Sequence, residues 1–118
     1  MSAWFTLDIP RPPSVNRFKG KLGNKSPCVV EWRARADQYL RAAGRYPRII
    51  GEYEIIVTFP IKKFGTFDAE NFMKALSDWL QSREVVENDR LARWLCVTWG
   101  EAPEGCRVRI RAYQTEAA

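Results

Sequence analysis

Two short stretches of this chain are dominated by carboxylates. Asp68 and Glu70 stand with Asn71 at the head of the segment Phe67-Asp68-Ala69-Glu70-Asn71-Phe72-Met73-Lys74, and Glu87-Asn88-Asp89 follows some twenty residues later. Carboxylate oxygens are hard donors suited to divalent cations, and Lys74 adds a cation able to face an anionic substrate. In a chain with net charge +5, acids at two sites that folding could bring together are more readily explained by a bound cation than by solubility. A structural reading competes with this one: Asp68 caps a helix, Glu70 occupies its favourable first turn, and the later acids solvate a loop. Histidine is absent, which removes Ser-His-Asp and Cys-His mechanisms and His-ligated zinc together. The chemistry left rests on carboxylates, lysine or metal.

These residues need elements to position them. A helix is expected from Asp68 or Ala69 to about Ser82, and at 100° per residue Phe72, Leu76, Trp79 and Leu80 share one side with Ala69 and Met73. Glu70, Asn71, Lys74 and Asp78 lie together on the other side, free to meet a ligand or only to be solvated. Asn71 has poor helix propensity, which favours a role beyond helix formation. Val85-Val86 then leads into the acid turn, so Asp89 sits just before a strand expected over Leu91 to Trp99, with Trp94, Cys96 and Thr98 on one side.

The remaining segments follow the same rules. Trp4 to Ile9 reads as a first strand, ended by Pro10 and Pro12-Pro13. Ser14 to Lys25 reads as a flexible basic loop holding Asn16, Arg17, Lys19, Lys21 and Lys25 among glycines; it could embrace a phosphate backbone or remain a solvated loop. Ser26 and Pro27 open a helix to about Ala43, closed by Gly44. Tyr53 to Phe59 is a β-branched and aromatic strand stopped by Pro60, and Lys62 and Lys63 form a basic connection to Asp68. Gly100 to Gly105 reads as a hairpin loop, and Arg107 to Tyr113 alternates as a half-buried strand with its arginines outward, suiting either DNA or edge protection.

The pattern is α/β (α+β), with about four strands in a small mixed sheet and two main helices packed on it, in a single domain spanning 1–118. With 118 residues, 46% of them hydrophobic, the chain can bury a real core. Residues 1 to 65 carry 12 Lys/Arg against 5 Asp/Glu, and residues 66 to 118 carry 7 against 9; the basic first half suits a polyanionic partner. Cys28, Cys96 and Cys106 lack CxxC spacing and are expected as reduced thiols. No apolar run is long enough to span a bilayer and the N-terminus lacks a signal-peptide pattern, so a cytoplasmic location with no membrane partner is expected.

Read together, Pro12-Pro13-Ser14-Val15-Asn16-Arg17, then Asp68-Ala69-Glu70-Asn71 with Lys74 and Asp78, then Glu87-Asn88-Asp89 before a strand, resembles the RusA family of Holliday junction resolvases. The resemblance spans nearly the whole chain and is most specific in the D-x-D-N-x-x-K pattern followed by the acid turn. It implies a RusA-like fold in which Asp68, Glu70 and Asp89 hold magnesium, with manganese able to substitute, while Lys74 assists catalysis. It also implies a homodimer that binds branched DNA, a four-way junction, and makes paired phosphodiester cuts in recombination and repair; the family is common in prophages. Asn16, Arg17, Lys19, Lys21, Lys25, Lys62, Lys63 and Asn71 become the expected DNA contacts. Two departures stand out: Glu70 replaces the usual Asp, and Asn88 stands where the turn often has a second Asp. Alternative readings are a less selective branched-DNA or flap nuclease using the same site, and a non-catalytic DNA-binding dimer whose acids are structural.

Overall fold

A computed structural model of the chain describes residues 3–13, 27–60 and 72–113. Among them the elements run β1 (Phe5–Pro10), α1 (Pro27–Ala42), β2 (Tyr53–Pro60), α2 (Met73–Ser82), β3 (Ala92–Gly100) and β4 (Gly105–Ala112), with a 3-10 turn at Asp89–Leu91 before β3. The sheet has four strands in the order β1-β4-β2-β3. β4 runs antiparallel to both β1 and β2, and β3 runs parallel to β2, so β1, β2 and β3 all point the same way. This is the expected mixed sheet with two helices.

Parallel neighbours require crossovers, and α1 and α2 provide them. Pro27 suits the first turn of α1, where its missing N–H is no loss. Val29, Trp32, Ala36 and Leu40 recur at helical spacing and are buried. Gly44, at φ 81°, ends the segment by adopting the left-handed conformation that glycine tolerates. In α2, Ala75, Leu76, Trp79 and Leu80 are buried, with Phe72 and Met73 partly so. Both helices cover the sheet face formed by Tyr53, Ile55, Val57 and Phe59 of β2 with Cys106, Val108 and Ile110 of β4. Trp32 and Trp79 meet edge to face, 5.6 Å between ring centres.

Polar contacts lock this layer. The Trp32 indole donates to the Pro10 carbonyl at 2.8 Å, pinning α1 to the end of β1. Asp37 accepts from the Trp79 indole at 2.9 Å and from Arg83 Nε at 2.6 Å, clasping α1 to the end of α2. Burial pushes the Asp37 carboxyl up, but the hydrogen bonds from Arg83 and Trp79 and the charges of Arg83 and Arg41 outweigh it and hold the group below its ordinary range.

Two expectations change. Gly100 to Gly105 is not a hairpin loop, because β2 lies between β3 and β4 and the connection steps over its end. Alternation in sequence reports which face a residue takes, not which strand lies beside it. β4 is consequently an interior strand, so its arginines do not protect an edge. Arg107 pairs with Asp8 at 2.8 Å and Arg111 with Glu54 at 2.7 Å, joining strands across the open face.

Asp37→Ala is expected to lower unfolding stability by about 1–2 kcal/mol in urea titration, since it leaves the Trp79 indole and the Arg83 guanidinium without their acceptor. Because the folded Asp37 is depressed, its contribution is present above the ordinary carboxylate value and fades as pH falls below about 4. Asp37→Asn should therefore flatten the acid limb of the stability profile.

Candidate functional site

Three strand ends and both helix starts converge at one end of the sheet. The chain leaves β1 through Arg11-Pro12-Pro13, enters α1 at Pro27, leaves β2 at Pro60 and enters α2 through Phe72. Phe72 packs on Phe59, near the end of β2, with ring centres 5.7 Å apart, and the Arg11 guanidinium lies over the Phe72 ring at 5.4 Å. Beside them opens a cavity of about 460 Å³ whose lining includes Arg11, Cys28, Glu31, Trp32, Arg35 and Phe72. The carboxyl ends of parallel strands are where such sheets generally bind ligands.

Lys74 lies in the first turn of α2 at this end. Its ammonium donates to Asp78 Oδ1 at 3.3 Å, one turn along, and its side chain stays 58% exposed whereas that of Asp78 is 13% exposed. The sequence leaves Asp78 on a face free to meet a ligand or only to be solvated; in the fold its Oδ2 is buried without a hydrogen-bond partner among the described residues. The result is a cation held by one acid oxygen and still open to solvent on its other side.

Asp89 is placed differently. Asn88 caps the Asp89–Leu91 turn, its side-chain oxygen accepting from the Arg90 amide at 2.8 Å. An Asp at position 88 would cap equally well, so the departure at Asn88 carries no cost to the local fold. The Asp89 amide donates to Gln81 Oε1 at 2.9 Å, which fixes the turn against the last part of α2. Glu87 Oε1 accepts from the Gly51 amide at 2.9 Å. Burial first, and then the nearby Asp89 charge, push the Tyr53 phenol up to about 12. The Asp89 side chain is exposed and has no hydrogen bond or ion pair among the described residues.

Lys74, Asp78 and Gln81 form one stripe on α2, and Asp89 is hitched to its far end. Seven residues separate Lys74 from Gln81, about 10 Å along the axis. Tyr53 and Phe59, which mark the two ends of β2, stand about 20 Å apart in an extended strand. Within one chain, Asp89 therefore sits at the opposite end of the sheet from Phe72.

Asp68, Glu70, Asn71, Asn16, Arg17, Lys19, Lys21, Lys25, Lys62 and Lys63 lie outside the described residues. Among the described residues no three acidic or cysteine side chains gather closely enough to hold a metal. The donor chemistry is nevertheless compatible with a hard cation, since Asp89 presents a solvent-facing carboxylate on a hydrogen-bonded turn and no thiolate or imidazole competes beside it. Sequence reasoning missed Gln81 and the cavity residues Arg11, Arg35 and Glu31. Spacing relates Lys74 to Asp78 and Gln81, but only the folded turn brings Asp89 to Gln81, and nothing local predicts that Arg11 meets Phe72.

No family model matches the chain. The chain is 28% identical to the crossover junction endodeoxyribonuclease RusA of Aquifex aeolicus (strain VF5) over 111 residues, which cover 92% of this chain and 88% of that protein. No helix among the described residues is long and apolar enough to cross a membrane.

Removing the Gln81 acceptor should free the acid turn without disturbing the core. Gln81→Ala is expected to speed exchange of the Asp89 amide about fivefold and to cost roughly 1 kcal/mol of local stability, the worth of one partly exposed hydrogen bond. Unchanged exchange at Asp89 would show that the turn is held by its backbone alone.

Proposed function

We propose that this chain is a metal-dependent endonuclease that cuts branched DNA, with the four-way Holliday junction as its substrate. The observation that carries the reading is similarity to a crossover junction endodeoxyribonuclease along nearly the whole of both chains. It agrees with a site chemistry confined to carboxylates and lysine and with a basic first half that suits a phosphate backbone.

In this reading Asp68, Glu70 and Asp89 are the carboxylates that hold magnesium. When bound, the ion supplies an activated water and neutralises charge that builds on the phosphate in the transition state. Lys74, kept in place by Asp78, presents its free side to a non-bridging or leaving oxygen of the scissile phosphate. Asn16, Arg17, Lys19, Lys21, Lys25, Lys62, Lys63 and Asn71 bind the DNA, most of them through the phosphate backbone, which makes affinity fall steeply with salt. The enzyme works as a homodimer, because a two-fold junction presents two equivalent phosphates and resolution needs both strands cut.

Substitution separates these roles. Asp68→Asn and Asp89→Asn should each leave junction binding intact in gel-shift titration while abolishing magnesium-dependent cleavage; cleavage persisting in both variants removes the carboxylate assignment. Lys74→Ala should lower turnover by roughly 10²-fold or more with little change in affinity, whereas an equal loss in both would make Lys74 a simple phosphate contact.

A further inference from the structure

The cavity beside Phe72 plays no part in the cleavage chemistry proposed above, and its walls come from three places in the fold. Cys28, Glu31, Trp32 and Arg35 recur at helical spacing along one face of α1. Pro12 and Pro13, at the exit of β1, form a second wall, and Phe72, leading into α2, forms a third. Two of these walls are held in place. Trp32 is buried with its indole on the Pro10 carbonyl at 2.8 Å, and the prolines have fixed φ. The volume of about 460 Å³ falls within the roughly 300–1,000 Å³ of small-molecule sites.

The groups on these walls narrow the ligand. Two guanidiniums, Arg11 and Arg35, stand with one carboxylate, Glu31, so the cavity carries net positive charge and disfavours a cation. An apolar ligand would bury all three charges without partners. An acidic peptide would suit the guanidiniums but set its own carboxylates against Glu31. Glu31 and Arg35 lie one helical turn apart, and neither makes a hydrogen bond or ion pair among the described residues. One accepts and the other donates from a planar fork, which together complement the edge of a nucleobase, where donors and acceptors lie side by side. Arg11 lies over the Phe72 ring at 5.4 Å, a cation–aromatic wall of the kind on which unstacked bases rest. The surplus positive charge suits the phosphate that comes with the base.

We propose that this cavity takes one nucleotide of the branched DNA whose base has left the stack, with Glu31 and Arg35 on the base edge and the Arg11–Phe72 wall against its face. Extruding a base is least costly where stacking is already interrupted, as it is at the exchange point of a four-way junction and is not within a linear duplex. Occupation of the cavity therefore selects branched DNA over duplex at the end of the sheet where Lys74 lies. The inference rests on the function proposed above, since it names the part of that substrate which the cavity holds.

Cys28 reports on the cavity without an activity assay. It lines the cavity and is half-buried, whereas Cys96 lies on β3 and serves as the reference. Burial pushes the Cys106 thiol up to about 12 and keeps it unreactive. Alkylation by N-ethylmaleimide in EDTA, where no strand is cut, gives the rate at each thiol by peptide mass spectrometry. With a four-way junction at about ten times its dissociation constant, about a tenth of the cavities stay empty, so Cys28 should react about tenfold more slowly relative to Cys96. A linear duplex at equal occupancy should leave Cys28 reactive. A junction with abasic nucleotides beside the exchange point in every strand should bind in gel shift yet restore the Cys28 rate, which DNA merely lying over the cavity would not do. Glu31→Gln and Arg35→Lys, on the exposed side of α1 and checked by circular dichroism, should lose most of the protection at equal junction occupancy, because lysine keeps the charge but not the planar fork. A bound junction that leaves Cys28 reactive, or protection that persists with the abasic junction or is matched by duplex, would overturn the inference and leave the nuclease reading standing. Protection by free deoxynucleoside monophosphates at millimolar concentration, but not by bound junction, would overturn it in favour of a free-nucleotide site. A chain that shifts no branched DNA would sink the nuclease reading and the inference together.

Discussion

Three parallel strands cannot be joined by tight turns, and that constraint organises the molecule. Each crossover must leave at a strand's carboxyl end and return through a helix, so the segments after β1 and β2 and the starts of α1 and α2 all fall at one end of the sheet. Packing makes the arrangement rigid. The edge-to-face pair of Trp32 and Trp79 and the Asp37 clasp on Arg83 hold the helices to each other, and the Trp32 indole holds them to β1. The antiparallel β4 fills the gap between β1 and β2, and its Arg107 and Arg111 are neutralised by Asp8 and Glu54.

The constraint also separates functions along α2. Lys74 enters at the end where strands finish, and Asp89 is tied by Gln81 to the end where they begin. Glu87 and Asn88 serve the turn itself, one on the Gly51 amide and one on the Arg90 amide, which leaves Asp89 as the acid of the triplet whose carboxylate has no hydrogen bond among the described residues.

Much of this was legible in sequence because it is local. Pro27, Gly44, Pro60 and the 3.6-residue recurrence of Trp32, Ala36 and Leu40 mark their elements directly, and the β-branched run at Tyr53 leaves little choice but a strand. What was not legible depends on partners distant in the chain. A hairpin and a step over β2 share the same turn residues, so Gly100 to Gly105 does not reveal which strand β4 joins. Asp78 reads as a surface acid until the fold shows its side chain only 13% exposed, and Gln81 has no signature until the turn at Asn88 brings the Asp89 amide to its side chain. At the candidate site, the residue types indicated carboxylate and lysine chemistry, while placing Asp89 at the far end of α2 required the fold.

The most direct test of the account is cleavage of synthetic four-way junctions beside linear duplex of the same sequence, with and without magnesium, with the cuts mapped on each strand. The account predicts paired, symmetric cuts across the junction that need magnesium, with the duplex left intact. Equal cutting of junction and duplex, or no magnesium-dependent cutting of any branched substrate, would contradict it.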